Sequence, residues 1–209
     1  MLVEQSWKLI GITPMLMHNG QTADPLNQFS KEMKRLSSKR NKTEEDLEQM
    51  SLVEWWAGLY LDKQPKIIDG SVTPQDGTKI VVPAHLLDSC VREGARKSKL
   101  GKQASAGCIV NADGAFSYGG ESSLVEMSTD GFYIHRAAVK VGQSKVMRTR
   151  PVFSNWSVTF TTTVDTTVIE IDSIFGALQS AGKLIGIGDW RPGAPRGGSF
   201  GRFDVEALT

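Results

Sequence analysis

Cysteine and histidine are scarce in this chain of 209 residues, which has two of the first and three of the second. The two cysteines, Cys90 and Cys108, are too few for a disulfide framework or a zinc set. No histidine belongs to a metal motif such as H-E-x-x-H. Phosphate loops of the G-x-x-x-x-G-K-[ST] type, G-x-S-x-G elbows and complete dinucleotide fingerprints are also missing. We therefore expect no metal site and no cofactor, and the usual hydrolase and dehydrogenase chemistries lose their support.

Long apolar runs are missing as well, because no stretch approaches the roughly 18 residues of a membrane-spanning helix. The first residues lack the pattern of an export signal. We therefore expect a cytoplasmic protein without a membrane partner. The net charge is +1, from 24 basic and 23 acidic residues, so the total charge indicates no particular partner.

The basic residues nevertheless occur in clusters that are separated from the acids. Such clusters are typical of phosphate-binding surfaces, since each neutralised phosphate releases a condensed counterion. The alternative is that they are ordinary solvated faces. With the aromatic residues near the end of the chain, the predicted nucleic-acid-binding residues are Lys31, Lys34, Arg35, Lys39, Arg40, Arg92, Arg96, Lys97, Lys99, Lys102, Lys145, Arg148, Arg150, Trp190, Arg191, Arg196, Phe200 and Arg202.

Local patterns predict both helices and strands. Regular alternation over residues 156–164 is the clearest strand. Thr43 and Asp46 predict a capping box, and Asp24 followed by Pro25 predicts another helix start. The Asp130-Gly131 pair predicts a hairpin, and the glycine-rich residues 101–120 are expected to be mobile without a partner.

The predicted order of strand, helix, strands, strand, helix and strand is that of a split βαβ unit. The sequence therefore predicts an α+β fold of the ferredoxin-like type, with an antiparallel sheet and a large insertion. This order places one strand at residues 184–187 and the last at residues 203–207. We expect a single domain over residues 1–209, with a helical insertion at residues 20–62.

The chain end, G-I-G-D-W-R-P-G-A-P-R-G-G-S-F-G-R-F, interleaves glycine with basic and aromatic residues. This mixture suits a loop that clamps a nucleic-acid backbone, with guanidinium groups on phosphates and rings under bases. The alternative is a glycine-rich connector in which Trp190 and Phe200 fill the core. Arg148 and Arg150 share one side of an extended chain and could hold successive phosphates, or they could pair with the acidic helix at residues 44–54.

The opening KLIGITPMLMHNG and the closing GIGDW and GGSFGRFDV resemble the two ends of RAMP-superfamily proteins, the RRM-related RNA-binding subunits of CRISPR effector complexes. The resemblance implies an RRM-type ferredoxin-like fold and binding to RNA. It also implies that residues 84–120, a basic helix with a glycine-rich segment, form a thumb-like insertion. The M-H-N, A-D-P-L and G-D-W-R-P segments are similar to a family of phage-encoded proteins of unknown function.

Three hypotheses follow. The first is a protein that coats single-stranded nucleic acid, RNA ahead of DNA, as a homo-oligomer or filament and without catalysis. The second is a metal-independent RNA-processing endonuclease with His18 as general base, although a lone histidine beside Asn19 and Gly20 is more often a turn residue that makes one hydrogen bond. The third is a structural or assembly protein of a phage particle.

Overall fold

The structure is a computed structural model that describes residues 1–68, 70–120 and 122–208. It confirms the predicted α+β class. Its contacts divide the chain into two compact units. Unit 1 comprises Met1–Leu16, Ile80–Gly119 and Phe153–Thr209, and unit 2 comprises Met17–Lys79 and Gly120–Val152.

The strands of both units are short to medium in length. In chain order they are β1 (Leu2–Gly11), β2 (Met15–Leu16), β3 (Lys66–Ile68), β4 (Ser71–Thr73), β5 (Val81–Val82), β6 (Cys108–Val110), β7 (Gly114–Tyr118), β8 (Ile134–Val141), β9 (Ser144–Phe153), β10 (Trp156–Asp165) and β11 (Phe203–Leu208).

The helices alternate with these strands. They are α1 (Gln28–Ser37), α2 (Glu44–Gly58), α3 (Ala84–Lys97), α4 (Gly101–Gly107), α5 (Leu124–Met127) and α6 (Ile171–Leu184), with single 3-10 turns at Gly20–Ala23 and Gly131–Tyr133. Within the described ranges, none of them is long and apolar enough to cross a lipid bilayer.

Unit 1 is built on a six-stranded sheet in the order β11-β1-β10-β7-β5, with β6 also paired to β10. Every pair of neighbours in it is antiparallel. Along the chain, α3 lies between β1 and β7, and α6 lies between β10 and β11. The two segments of unit 2 interrupt this path, one between β1 and α3 and the other between β7 and β10.

The alternation predicted for residues 156–164 is confirmed in β10, where every second side chain from Trp156 to Val164 is buried. Such a period of two places one face of a strand on the core. β10 pairs with β1 along nearly its whole length, with Trp7 opposite Phe160. Helices α3 and α6 pack closely at Gly94, where there is no room for a side chain. A Cβ at this position would collide with the Ala177 carbonyl.

Unit 2 contains α1 and α2, and the predicted capping box of α2 is confirmed. The Thr43 side chain accepts the Asp46 N–H, and the Asp46 carboxylate accepts the Thr43 N–H. The helix start predicted at Asp24 is wrong, because α1 begins after Asn27, whose side chain accepts the Phe29 N–H. Asp24 instead accepts the Leu26 N–H in the preceding turn.

The hairpin predicted at Asp130-Gly131 is also wrong. The Asp130 carboxylate accepts the Phe132 N–H and closes a 3-10 turn, a local geometry that competes with a hairpin. The hairpin is formed instead by β8 and β9, which join at Gly142, where φ is 59°. This left-handed conformation favours glycine.

Residues 101–120, for which the glycine content predicts mobility, contain α4, β6 and β7, and these two strands pair with β10. One further prediction is wrong. Residues 184–187 form no strand; they carry the end of α6 into a turn in which the Gly186 N–H bonds to the Ala181 carbonyl.

Candidate nucleic-acid interface

The first basic cluster lies on α1 and the turn after it, in unit 2. All five of its predicted binding residues are exposed: Lys31, Lys34, Arg35, Lys39 and Arg40. Arg35 forms a two-pronged ion pair with Glu32, at 2.6 and 2.9 Å, and Lys39 bonds to the Asp46 carboxylate at 2.5 Å. Arg35 and Lys39 therefore also help to stabilise the fold of unit 2.

The second cluster lies in unit 1, at the end of α3 and along α4. Arg92 forms an ion pair with Asp88 one helical turn away, at 2.5 Å. Arg96, Lys97, Lys99 and Lys102 are exposed and make no ion pair with any residue that the structure describes. This cluster therefore offers four cations to a partner.

Three of these cations surround an open basin with a volume of about 650 Å³. Arg96, Lys99 and Lys102 line it together with Ser105, and none of the described lining residues is acidic. We call this site the basic basin. Three positive charges around one open depression make a favourable environment for phosphate groups.

The local fold explains how the basic basin forms. Helix α3 ends in a Schellman motif, in which the Leu100 N–H bonds to the Ala95 carbonyl at 2.9 Å and the Lys99 N–H bonds to the Arg96 carbonyl at 3.1 Å. The motif places its left-handed position at Lys99, where φ is 62°. Glycine is the usual residue there, because a side chain in this conformation costs about 1–2 kcal/mol.

The third cluster lies on β9 in unit 2. Lys145 is exposed and lies opposite Lys140 on β8. Arg148 forms an ion pair with Glu54 at 2.9 Å, so the predicted alternative, pairing with the acidic helix, is confirmed for Arg148. Arg150 lies opposite His135.

Arg150 also influences the titration of its neighbour. Burial is the main cause that lowers the pKa of His135, and the positive charge of Arg150 lowers it further. His135 is therefore held in its neutral form beside the arginine.

The fourth group lies in the loop between α6 and β11, in unit 1. Trp190 and Phe200 are both half-buried, with ring centroids 6.4 Å apart and an angle of 52° between the rings. Arg196 is exposed, and the Arg191 guanidinium lies 3.8 Å from the Glu93 carboxylate. The Arg202 side chain is half-buried, so it is less accessible than Arg196.

Many glycines of this loop are required by its own packing. A Cβ at Gly198 would collide with the Trp190 carbonyl, and one at Gly201 would collide with the Ile187 carbonyl. The Gly201 N–H bonds to the Pro14 carbonyl at 2.8 Å, and the Ile187 N–H bonds to the Gly201 carbonyl at 2.9 Å. The close approach that glycine permits is therefore used here between segments of the chain itself.

Backbone strain coincides with the predicted interface of unit 1. Among the described residues, only two that are not glycine have positive φ: Lys99 at 62° and Trp190 at 49°. Both belong to the predicted nucleic-acid-binding set. Sparsely populated backbone conformations of this kind cluster at binding sites, where the surrounding structure maintains them.

His18, the alternative catalytic residue, is exposed in unit 2, and its backbone carbonyl accepts a hydrogen bond from the Tyr60 hydroxyl at 2.9 Å. It lines a cleft together with Arg148, Thr149 and Arg150 of β9. The glycine-rich loop, which the sequence predicts to clamp a nucleic-acid backbone, belongs to unit 1.

The two cysteines are buried thiols in unit 1. Burial raises the pKa of Cys90 to about 12 and that of Cys108 to about 11. Neither thiol is therefore a nucleophile at neutral pH. In the described part of the chain, no three side chains of His, Cys, Asp or Glu are grouped as metal ligands.

Sequence reasoning missed two features of these sites. The strain at Lys99 follows from the Schellman motif, and the run of Lys97, Ser98 and Lys99 contains no glycine to mark it. Glu54 was seen only as part of an acidic helix, although its carboxylate binds both the Arg148 side chain and the Thr149 N–H.

No protein-family model matches the chain, and no curated protein matches it.

Proposed function

We propose that this protein binds single-stranded nucleic acid, RNA ahead of DNA, without catalysing a reaction. The binding surface consists of the basic basin and the loop between α6 and β11, both in unit 1. The observation that carries the proposal is the strained position of Lys99 at the basic basin. The fold retains a lysine where glycine is favoured, and its side chain lies among exposed cations without ion pairs to described residues. A role for that charge in binding accounts for the cost.

Trp190 and Phe200 support the same proposal. Aromatic rings near a cationic surface stack on bases, and stacking contributes about 1–3 kcal/mol per base with little dependence on sequence. Both rings are half-buried, so they keep accessible surface, and Trp190 has the second strained backbone. In the proposed complex, the cations of the basic basin neutralise phosphates and the two rings hold bases.

The strand order supports a specific fold type for unit 1. If β1, β7, β10 and β11 are counted as first to fourth, their order in the sheet is fourth, first, third, second, with all neighbours antiparallel. One helix follows the first strand and another follows the third. We propose that this connectivity is the split βαβ unit of ferredoxin-like folds, interrupted twice by unit 2. The expectation that RNA is preferred comes from the resemblance to RAMP-superfamily proteins.

The test is fluorescence anisotropy with labelled single-stranded RNA and DNA of equal length, in EDTA and with nuclease-treated protein. One triple variant, Arg96→Gln with Lys99→Gln and Lys102→Gln, removes the charge of the basic basin. The control, Lys66→Gln with Lys79→Gln and Lys183→Gln, removes three exposed charges elsewhere. We expect the first variant to lose most of the binding and the control to retain it.

Other outcomes decide between the remaining hypotheses. Equal losses in the two triple variants would contradict a role for the basic basin. Cleavage of the labelled RNA in EDTA would favour the nuclease. Failure of the wild-type chain to bind at low salt would leave the assembly hypothesis. We also propose that several copies line up on one strand, and light scattering of the complex measures their number.

A further inference from the structure

Unit 2 contains a cleft with a volume of about 500 Å³, within the range of pockets that hold small ligands. All of its lining residues belong to unit 2. We call it the unit 2 cleft. Its composition is uneven, because charged groups come from β9 and α2, whereas apolar groups come from Met33, Ala57 and Val139.

The charged wall is held in place by Glu54. One oxygen of this carboxylate accepts the Arg148 guanidinium at 2.9 Å, and the other accepts the Thr149 N–H at 2.8 Å. The Thr149 hydroxyl is in turn bonded to the Ser51 hydroxyl at 2.8 Å, which connects β9 to α2 a second time. These contacts fix the strand segment that carries both arginines.

The charged groups of this wall are mostly cationic. Arg148 and Arg150 contribute two guanidinium groups to the described lining, and Glu54 contributes one carboxylate. The effect of Arg150 on the pKa of His135 agrees with a cationic surface that is partly shielded from water. His18 also lines the unit 2 cleft.

Hydrogen bonds also connect the residues of the uncharged part of the cleft. The Ser30 hydroxyl donates to the Thr22 carbonyl at 2.9 Å. The Asn19 side chain donates to the Leu59 carbonyl at 3.1 Å and accepts the Gln21 N–H at 3.2 Å. These bonds keep the walls in position around Met33 and Ala57. The cleft thus combines a cationic wall with a preformed, mostly apolar one.

We propose that the unit 2 cleft binds a small phosphate monoester. Its phosphate would lie against Arg148 and Arg150, and its organic group against Met33, Ala57 and Val139. A phosphate monoester suits this site because arginine matches its oxygens with pairs of N–H donors, and because its charge near −2 exceeds that of a carboxylate. This proposal goes beyond the proposed function, because it uses none of the residues of the basic basin.

Calorimetry on the full chain tests it with adenosine 5′-monophosphate, ribose 5-phosphate, inorganic phosphate and adenosine as probes. We expect at least one of the two esters to bind, and adenosine to bind at least about tenfold more weakly than its monophosphate. Absence of binding by both esters, or equal binding of adenosine and adenosine 5′-monophosphate, would overturn the proposal.

A charge-matched pair of variants locates the site. Arg150→Gln should weaken ester binding about tenfold or more, whereas Arg136→Gln, an exposed arginine on β8 of the same hairpin, should leave it unchanged. Arg150→Lys keeps the charge without the paired donors and should bind with intermediate affinity. Equal affinities of Arg150→Gln and Arg136→Gln, with native circular dichroism for both, would place the ligand elsewhere.

The two proposals fail separately. The triple variant of the basic basin should bind the ester like the wild-type chain while losing the oligonucleotide. If that variant loses both ligands equally, the ester binds at the basic basin and the assignment to the unit 2 cleft is wrong. Loss of the oligonucleotide alone supports both assignments.

Discussion

The hydrogen bond between Trp7 and Thr162 gives the sharpest test of how unit 1 is held together. The indole Nε1–H of Trp7, on β1, donates to the hydroxyl of Thr162, on β10, at 2.9 Å, and both side chains are fully buried. Thr162→Val preserves the shape of the side chain and removes the acceptor. The indole N–H is then buried without its partner.

The expected loss is about 1–3 kcal/mol of unfolding free energy, the cost of leaving a buried polar group unsatisfied. In a Trp7→Phe background the indole donor is gone, so the same threonine substitution should cost less there and should remove only the weaker contacts of this hydroxyl, such as its 3.4 Å bond to the Gln5 carbonyl. A double-mutant cycle therefore predicts a coupling energy of about 1 kcal/mol or more between the two positions. Thr159→Val, at an exposed position of the same strand, is the control and should change stability by less than about 0.5 kcal/mol.

Urea unfolding followed by tryptophan fluorescence and by circular dichroism measures these free energies. If Thr162→Val costs the same in both backgrounds, the coupling is zero and the bond does not contribute as described. If Thr159→Val costs as much as Thr162→Val, the loss is a property of the strand and not of the hydrogen bond.

Three further outcomes are expected. Lys99→Gly should raise the unfolding free energy by about 1 kcal/mol, because glycine adopts the left-handed backbone conformation without strain. The same variant should bind oligonucleotides more weakly than the wild-type chain. A more stable variant with unchanged affinity would contradict the role of this lysine. Cys90 and Cys108 should react with a thiol reagent at neutral pH only after denaturation, as followed by absorbance, because their raised pKa values suppress the thiolate. His135 has a lowered pKa, so the unfolded chain takes up a proton first, and stability should fall as the pH drops through and below the ordinary histidine pKa of about 6.5. His135→Gln should show a smaller fall in urea titrations, and an equal fall would point to another group.

Much of the fold was predictable where the signal is local. The alternation in β10 reflects a strand with one buried face, and the capping box at Thr43 depends on residues only three positions apart. The chain from Gly101 to Gly107 was missed because its small residues carry no hydrophobic period, and the strands β6 and β7 are stabilised by pairing with β10, which is distant in sequence. Local glycine content therefore gives no indication of the long-range pairing that forms these strands.

The candidate site shows the same division. Charge clustering identified the exposed cations of the basic basin, because charge is a property of composition. The ion pair between Arg148 and Glu54 was harder to predict from the sequence, since these residues are 94 positions apart. The strain at Lys99 depends on how α3 ends, which residue types alone did not indicate.

The central claim is that the basic basin neutralises phosphates, and the salt dependence of binding tests it most directly. For single-stranded nucleic acid, the logarithm of the association constant falls with the logarithm of salt concentration by about 0.7 for each neutralised phosphate. Replacing Arg96, Lys99 and Lys102 by glutamine should therefore make the slope shallower by about 2. The control variant at Lys66, Lys79 and Lys183 should keep the wild-type slope. Identical slopes for all three proteins would contradict the claim.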